Sequence, residues 1–322
     1  MSNIKIGILE FGFRDTQWSS MGTILDVIDY AVKADELGFS RFWLGEHHNF
    51  IATSSWSTPQ VLLPILLQST QHINVGMAGI LINYYSPYEV ACNFKMLANL
   101  FPDRCDLGYA AGTPPRNIGQ ELLQRSFSEP PMQYFENIAR ISQYFHQEIA
   151  VAEKEKIVIP PFRGDTPNLF LLSSSFKRAQ QAIDLQLNIA KSIFHSPDSI
   201  LSDTKESIQQ YRTTYEDTYG RSPQIVLAFI GTCQRKASKA IALAEEFTLG
   251  ASGFRYLHNG IVGTPDQFYD RIHYYAETLG IHEFVFLDST LRNEDKIESL
   301  HLLSEKFELK STIQPEVALD LY

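Results

Sequence analysis

The chain is poor in cysteine. Cys92, Cys105 and Cys233 stand too far apart in 322 positions for a disulfide framework or a thiolate metal site. Three scattered thiols point to a reducing compartment, each as a small buried residue rather than a nucleophile. Long apolar runs are missing as well, since no window approaches the ~18 uninterrupted apolar residues that a membrane helix needs. Nor is there a dense basic cluster: the 27 Lys and Arg are scattered, and 37 Asp and Glu leave a formal charge of −10. That field repels phosphate backbones and anionic bilayers, which argues against nucleic acid and membrane surfaces as partners. Residues 1–6 run into strand-like sequence without a charged leader, so a soluble cytoplasmic protein is the expectation.

What is present is ordinary globular composition, 44% hydrophobic and 20% charged, which is ample for a packed core. The length admits one large domain or two small ones, and α/β barrels reach it around a single core. Strand-like and helix-like segments alternate along the chain. Strands are expected at 4–9, 41–45, 73–80, 104–110, 168–172, 188–192, 224–229 and 282–288. Helices are expected at 23–37, 59–69, 87–100, 131–148, 177–187, 197–219, 236–247 and 265–279, with Gly38 as a stop and Pro59 in a first turn. Two stretches, 150–167 and 248–263, break the periodicity as excursions. Eight parallel strands with intervening helices predict an α/β fold, a closed (β/α)8 TIM barrel spanning 1–322 as one domain. An open doubly wound sheet is the rival, but the first strand-to-helix turn, 10–22, lacks a glycine-rich dinucleotide fingerprint.

The richest segment is Phe42-Trp43-Leu44-Gly45-Glu46-His47-His48-Asn49, an apolar strand that ends in a carboxylate, two imidazoles and an amide. Parallel α/β proteins bind ligands at the C-terminal ends of their strands, so chemistry is expected there. A surface loop with one imidazole in a structural hydrogen bond is the other reading of the same residues. No metal is expected, because adjacent side chains on an extended segment diverge and no third ligand is evident. Ser174 and Ser175 precede the helix expected from 177, where free N–H groups and hydroxyls make an anion site or simply a serine-rich cap. Aromatic residues near strand ends, Phe11, Phe13, Trp18, Trp56, Tyr84, Tyr85 and Tyr109, are the expected lining of an apolar cavity.

In this order and spacing the chain resembles the bacterial luciferase-like, flavin-dependent monooxygenases over nearly its whole length. The resemblance rests on Gly38 through Asn49, on Ile73-Asn74-Val75-Gly76-Met77-Ala78-Gly79-Ile80 and on Arg104-Cys105-Asp106-Leu107-Gly108. Leu172-Ser173-Ser174-Ser175 and Val262-Gly263-Thr264-Pro265 add to it. It implies a (β/α)8 barrel, usually a homodimer, that takes FMN, often reduced and delivered by a separate reductase. The reduced flavin and O2 then oxygenate a small organic substrate through a flavin peroxide.

The resemblance further implies that His47 is the active-site acid, base or donor, with Glu46 orienting it and His48 donating to flavin or substrate. Ala78 and Gly79 fall where the family often places a non-proline cis peptide beside the flavin ring, with Ala110 against the ring. Ser174 and Ser175 match the phosphate loop. One departure stands out: Ala111 occupies the position of an arginine that grips the flavin phosphate, which leaves Arg178, or Arg116, to compensate. Gln186, where relatives carry glycine, implies a different helix-to-strand turn. A deazaflavin-dependent oxidoreductase on the same barrel, and a non-catalytic flavin-binding or partner subunit, are the alternatives.

Overall fold

Strands β1 (Lys5–Glu10), β2 (Arg41–Leu44), β3 (Asn74–Leu81), β4 (Cys105–Ala110), β5 (Asn168–Ser173), β6 (Asn188–Ser192), β7 (Ile225–Cys233), β8 (Ile261–Gly263) and β9 (Glu283–Asp288) pair entirely in parallel. They belong to a computed structural model that describes residues 4–15, 17–48, 54–112, 133–195, 198, 203–250 and 258–310. β1 to β7 follow one another, β7 pairs with β9, and β9 pairs with β1. The ring is therefore an eight-stranded closed barrel, while β8 pairs with the end of β7 alone. An open sheet is ruled out by that closure.

Alternation along each strand sorts side chains between two cores. Leu9 registers with Trp43 and Leu287, and all three point into the barrel beside Phe170 and Val226. Ile8, one residue earlier, registers with Phe42 and Phe286, and these face the surrounding helices. The helices are α1 (Ser20–Glu36), α2 (Leu63–Ser69), α3 (Pro87–Leu100), α4 (Gln133–His146), α5 (Glu148–Glu155), α6 (Ala179–Asp184), α7 (Lys205–Tyr219), α8 (Ala237–Gly250), α9 (Pro265–Leu279) and α10 (Asn293–Lys306). Local chemistry sets their ends. α9 starts at a Thr264–Gln267 capping box followed by proline and stops at left-handed Gly280.

The barrel floor is charged, and its charges are paired. Arg41 donates to Glu283 Oε1 at 2.6 Å and also to Asp106 and Gln224. Asp106 accepts in addition from Trp43 Nε1 at 2.8 Å and from Asn168 at 2.9 Å. Burial would pull the Arg41 guanidinium down, but Asp106 and Glu283 hold it above its ordinary value. A second buried ion pair, Lys296 of α10 with Glu10 at 2.6 Å, ties the outer helix to β1. Nearby Asp288, out of solvent, has its carboxyl pushed up to about 7 by burial, against the pull of Lys296.

Several expectations need correction. The stretch 150–167 begins in helix, because α5 runs to Glu155 and ends at left-handed Lys156. The single helix expected at 131–148 is interrupted between His146 and Glu148. The helix expected at 177–187 is a 3-10 turn, Phe176–Arg178, followed by the short α6. In the stretch 248–263, α8 continues to Gly250 and β8 closes the segment. Gln186 takes the left-handed φ of 57° that favours glycine, and Leu187 N donates to Ala182 O at 2.8 Å. α10 has no counterpart in the sequence reading. The helix expected at 197–219 starts at Lys205, where Thr204 and Ser207 form a capping box; Asn49 and Arg116 lie outside the described residues.

Candidate active site

A cavity of about 700 Å³ opens at the C-terminal end of the barrel. Its wall takes Glu46, His47 and His48 from the turn after β2, Ala78 and Gly79 from β3, and Ala110 and Ala111 from the end of β4. Ser173 and Ser174 at the end of β5 and Ser192 and His195 at the end of β6 complete the polar positions. The rest is apolar, with Leu9, Phe11, Trp43 and Phe194 among the lining residues.

Glu46 is an anchor. Its buried carboxylate accepts from Leu81 N at 3.0 Å, Tyr85 Oη at 2.6 Å and His48 Nε2 at 2.8 Å. It thus orients His48, whereas the imidazole expected to be oriented was His47. His47 instead packs against Phe11, ring centres 4.4 Å apart. Burial first, then His195 and His48, pull its imidazole down to about 4, which leaves it neutral at physiological pH.

The Ala78–Gly79 peptide is cis. A Cβ on Gly79 would lie 2.5 Å from Gly108 O and 2.6 Å from Leu172 Cδ1, so only glycine lets β3 approach β4 this closely. The register between the two strands shifts at this point, between Ala78 and Ile80. The cavity wall here is backbone and methyl groups.

The expected phosphate end is organised differently. Ser174 reaches the cavity, but Ser175 and Arg178 are not part of its wall. Ser173 Oγ donates to Ser175 O at 2.7 Å, which closes the serine run on itself. Arg178 lies with its guanidinium carbon 5.2 Å from the Phe135 ring. The first free amide of the turn, Phe176 N, donates to Asp203 Oδ1 at 2.8 Å. The other carboxylate oxygen of Asp203 meets Lys191 Nζ at 2.6 Å, and Lys191, fully buried on β6, also donates to Ser174 O at 3.0 Å. No Arg or Lys lines the cavity among the described residues.

His195 was not foreseen. Ser192 Oγ lies 2.5 Å from His195 Nδ1, Phe194 stacks on the ring at 4.4 Å, and burial lowers the imidazole's pKa. The signal was available: strand 188–192 also ends in polar side chains, by the rule that singled out Glu46, His47 and His48. Of the expected aromatic lining, Phe11 reaches the cavity. Phe13 packs behind Phe11 at 5.9 Å, Trp56 bonds Gly45 O, Tyr85 holds Glu46, Tyr84 and Tyr109 are core, and Trp18 is 57% exposed. Among the described residues no group of three His, Cys, Asp or Glu could hold a metal, and no helix is long and apolar enough to cross a membrane.

The family model for luciferase-like monooxygenase matches residues 4–261. The N-acetyl-S-alkylcysteine monooxygenase of Bacillus subtilis (strain 168) is 24% identical, over 94% of this chain and 98% of that protein. Apo-MsnO8 superposes with a TM-score of 0.81 at 24% identity, covering 96% of this chain and 99% of the other. The oxygenating constituent of 3,6-diketocamphane monooxygenase from the CAM plasmid of Pseudomonas putida, solved with FMN, gives 0.71 at 16% identity, covering 95% and 98%. The two structural likenesses bear on the fold.

Proposed function

The chain belongs to the luciferase-like monooxygenase family, and on that premise we propose that it is a flavin-dependent monooxygenase, taking reduced FMN or a close analogue from a separate reductase and oxygenating a small organic substrate. The observation that carries this reading is the cavity itself, in which neutral His47 and the side-chain-free Gly79 share one apolar chamber. Its volume of about 700 Å³ accommodates a three-ring heterocycle and a small substrate. The residues at this end fit the ring of a flavin: Ala78, Gly79 and Ala110 offer backbone and methyl groups to a flat face. Bound reduced flavin supplies the two electrons by which one atom of O2 enters the substrate and the other leaves as water.

The chain's own part is to keep the chamber dry and to handle protons. Leu9, Phe11, Trp43 and Phe194 exclude water. His47, neutral above about pH 4, takes a proton on an imidazole nitrogen and returns it. Glu46 is a positioning residue, since it holds His48 and the end of β3 together.

The test is an anaerobic titration with reduced FMN and reduced riboflavin, followed by an oxygen pulse. Binding, and then oxygen uptake that falls in His47→Ala, is the expected result. Failure of both flavins to bind would discard the reading, and a deazaflavin absorption spectrum in the isolated protein would replace it with the hydride-transfer alternative.

A cytoplasmic homodimer completes the proposal. Three free cysteines support the compartment. Met21 and Leu25 of α1, Val61 and Ile65 at α2, and Met96 and Leu100 of α3 are each 43% exposed or more, apolar side chains that a second copy would cover. Light scattering should then give about twice the chain mass of 36.6 kDa, and a monomer at working concentration would refute it.

A further inference from the structure

We infer that the flavin accepted by this chain ends in an uncharged ribityl hydroxyl, as riboflavin does, because the first amide of the turn after Ser175, behind the cavity wall, is already taken by the chain's own Asp203 carboxylate. This rests on the flavin reading above. It begins with what a dianionic phosphate needs, which is cations and unsatisfied amide donors.

Among the described residues, the cations are absent from the cavity wall and two of the donors at the turn are already engaged. The strand-four position that would carry a gripping arginine is Ala111, and it lines the cavity as a methyl group. Among the described residues no Arg or Lys joins it in the wall. The hydroxyl of Ser173, which lines the cavity, is donated to Ser175 O. The turn itself is three residues of 3-10 helix before a six-residue helix, too short for an appreciable dipole. Its first amide, Phe176 N, is bonded at 2.8 Å to a carboxylate oxygen of Asp203.

Asp203 therefore stands in the role an incoming anion would play. Its second oxygen pairs with Lys191, whose ammonium is fully buried and also holds Ser174 O. The arrangement is internally neutral: one carboxylate, one ammonium. A phosphate brought to the same amide would meet a like charge within hydrogen-bond range, and the pair could not be parted without leaving a buried charge alone. The formal charge of −10 on the whole chain adds to the repulsion. A neutral hydroxyl, in contrast, can donate to a serine or carbonyl oxygen at no such penalty.

The experiment is a pair of equilibrium titrations of the full chain with riboflavin and FMN, followed by flavin fluorescence. Riboflavin is expected to bind at least as tightly as FMN. Asp203→Asn should move the FMN-to-riboflavin affinity ratio toward FMN by about tenfold or more, because the resident negative charge at the turn is then gone while the Lys191 ammonium stays. Ala111→Arg, placed in the cavity wall, should move the ratio in the same direction and serves if the first variant fails to fold. Wild-type FMN binding more than about tenfold tighter than riboflavin would overturn the inference while leaving the monooxygenase reading intact. Binding of neither flavin would overturn both.

Discussion

At the floor of the barrel, Arg41, Asp106 and Glu283 stand inside the strands, every charge bonded to an opposite charge or an amide. At the mouth, the same inward-facing rows carry Leu9, Ala78, Ala190 and Ala228, and the titratable groups include a neutral His47 and the Glu46 carboxylate with three donors. Trp43 marks the boundary: its indole lines the cavity while its N–H donates down to Asp106. The difference teaches what each end is built for. A buried charge survives only with its partner in place, so the floor fixes which strands sit together, at the expense of adaptability. At the mouth, Glu46 is satisfied by three donors and His47 makes no ion pair with it, which leaves an apolar chamber in which the neutral His47 imidazole can change its proton without first breaking a salt bridge to Glu46.

The largest effect should come from breaking the floor. Asp106→Ala removes the acceptor shared by Arg41, Trp43 and Asn168 and leaves the buried Arg41 guanidinium with Glu283 as its remaining counter-charge. A loss of about 3 kcal/mol in urea unfolding is expected, from one broken buried ion pair and two unsatisfied donors. A loss under 1 kcal/mol would mean that the floor is wetter than its geometry implies and would erase the contrast between the two ends.

How far the sequence alone could reach follows the same division. Strands buried on both faces announce themselves as apolar runs, so all eight barrel strands were legible, as was the polar end of β2. α10 was not, because the segment after Asp288 is polar and acidic and its buried side chains include Lys296 and Ser299 as well as Leu300 and Leu303. Arg178 was assigned to the cavity by proximity in sequence. A 3-10 turn in place of the expected helical start aims it at Phe135 instead. Lys191 went unnoticed because a cation within a strand looks like an ordinary surface position. Its meaning appears only when Asp203, twelve residues on, folds back to meet it.

A smaller and sharper test of the mouth uses pH. His47 in the folded chain titrates near 4, whereas an unfolded histidine titrates near 6.5, so between those values the unfolded chain binds a proton that the folded chain refuses. Stability contributed by a neutral His47 is complete above pH 6.5 and is lost as pH falls toward 4. His146 is pulled the same way by its packing and by Arg221, but its side chain is exposed enough for solvent to screen the effect, so its loss is smaller. Asp288 opposes both. With its carboxyl raised to about 7, the folded chain holds a proton that an unfolded aspartate releases above about pH 4, so this contribution shrinks as pH rises. The background therefore has slopes of both signs, and a single substitution isolates the mouth's share. His47→Gln removes one titrating group without adding charge, and it should make the fall in stability from pH 7 to 5.5 shallower by about 1 kcal/mol in chemical denaturation. An identical slope in both proteins would mean that His47 is hydrated and titrates near 6.5, and the mouth would then be as wet as the floor is dry.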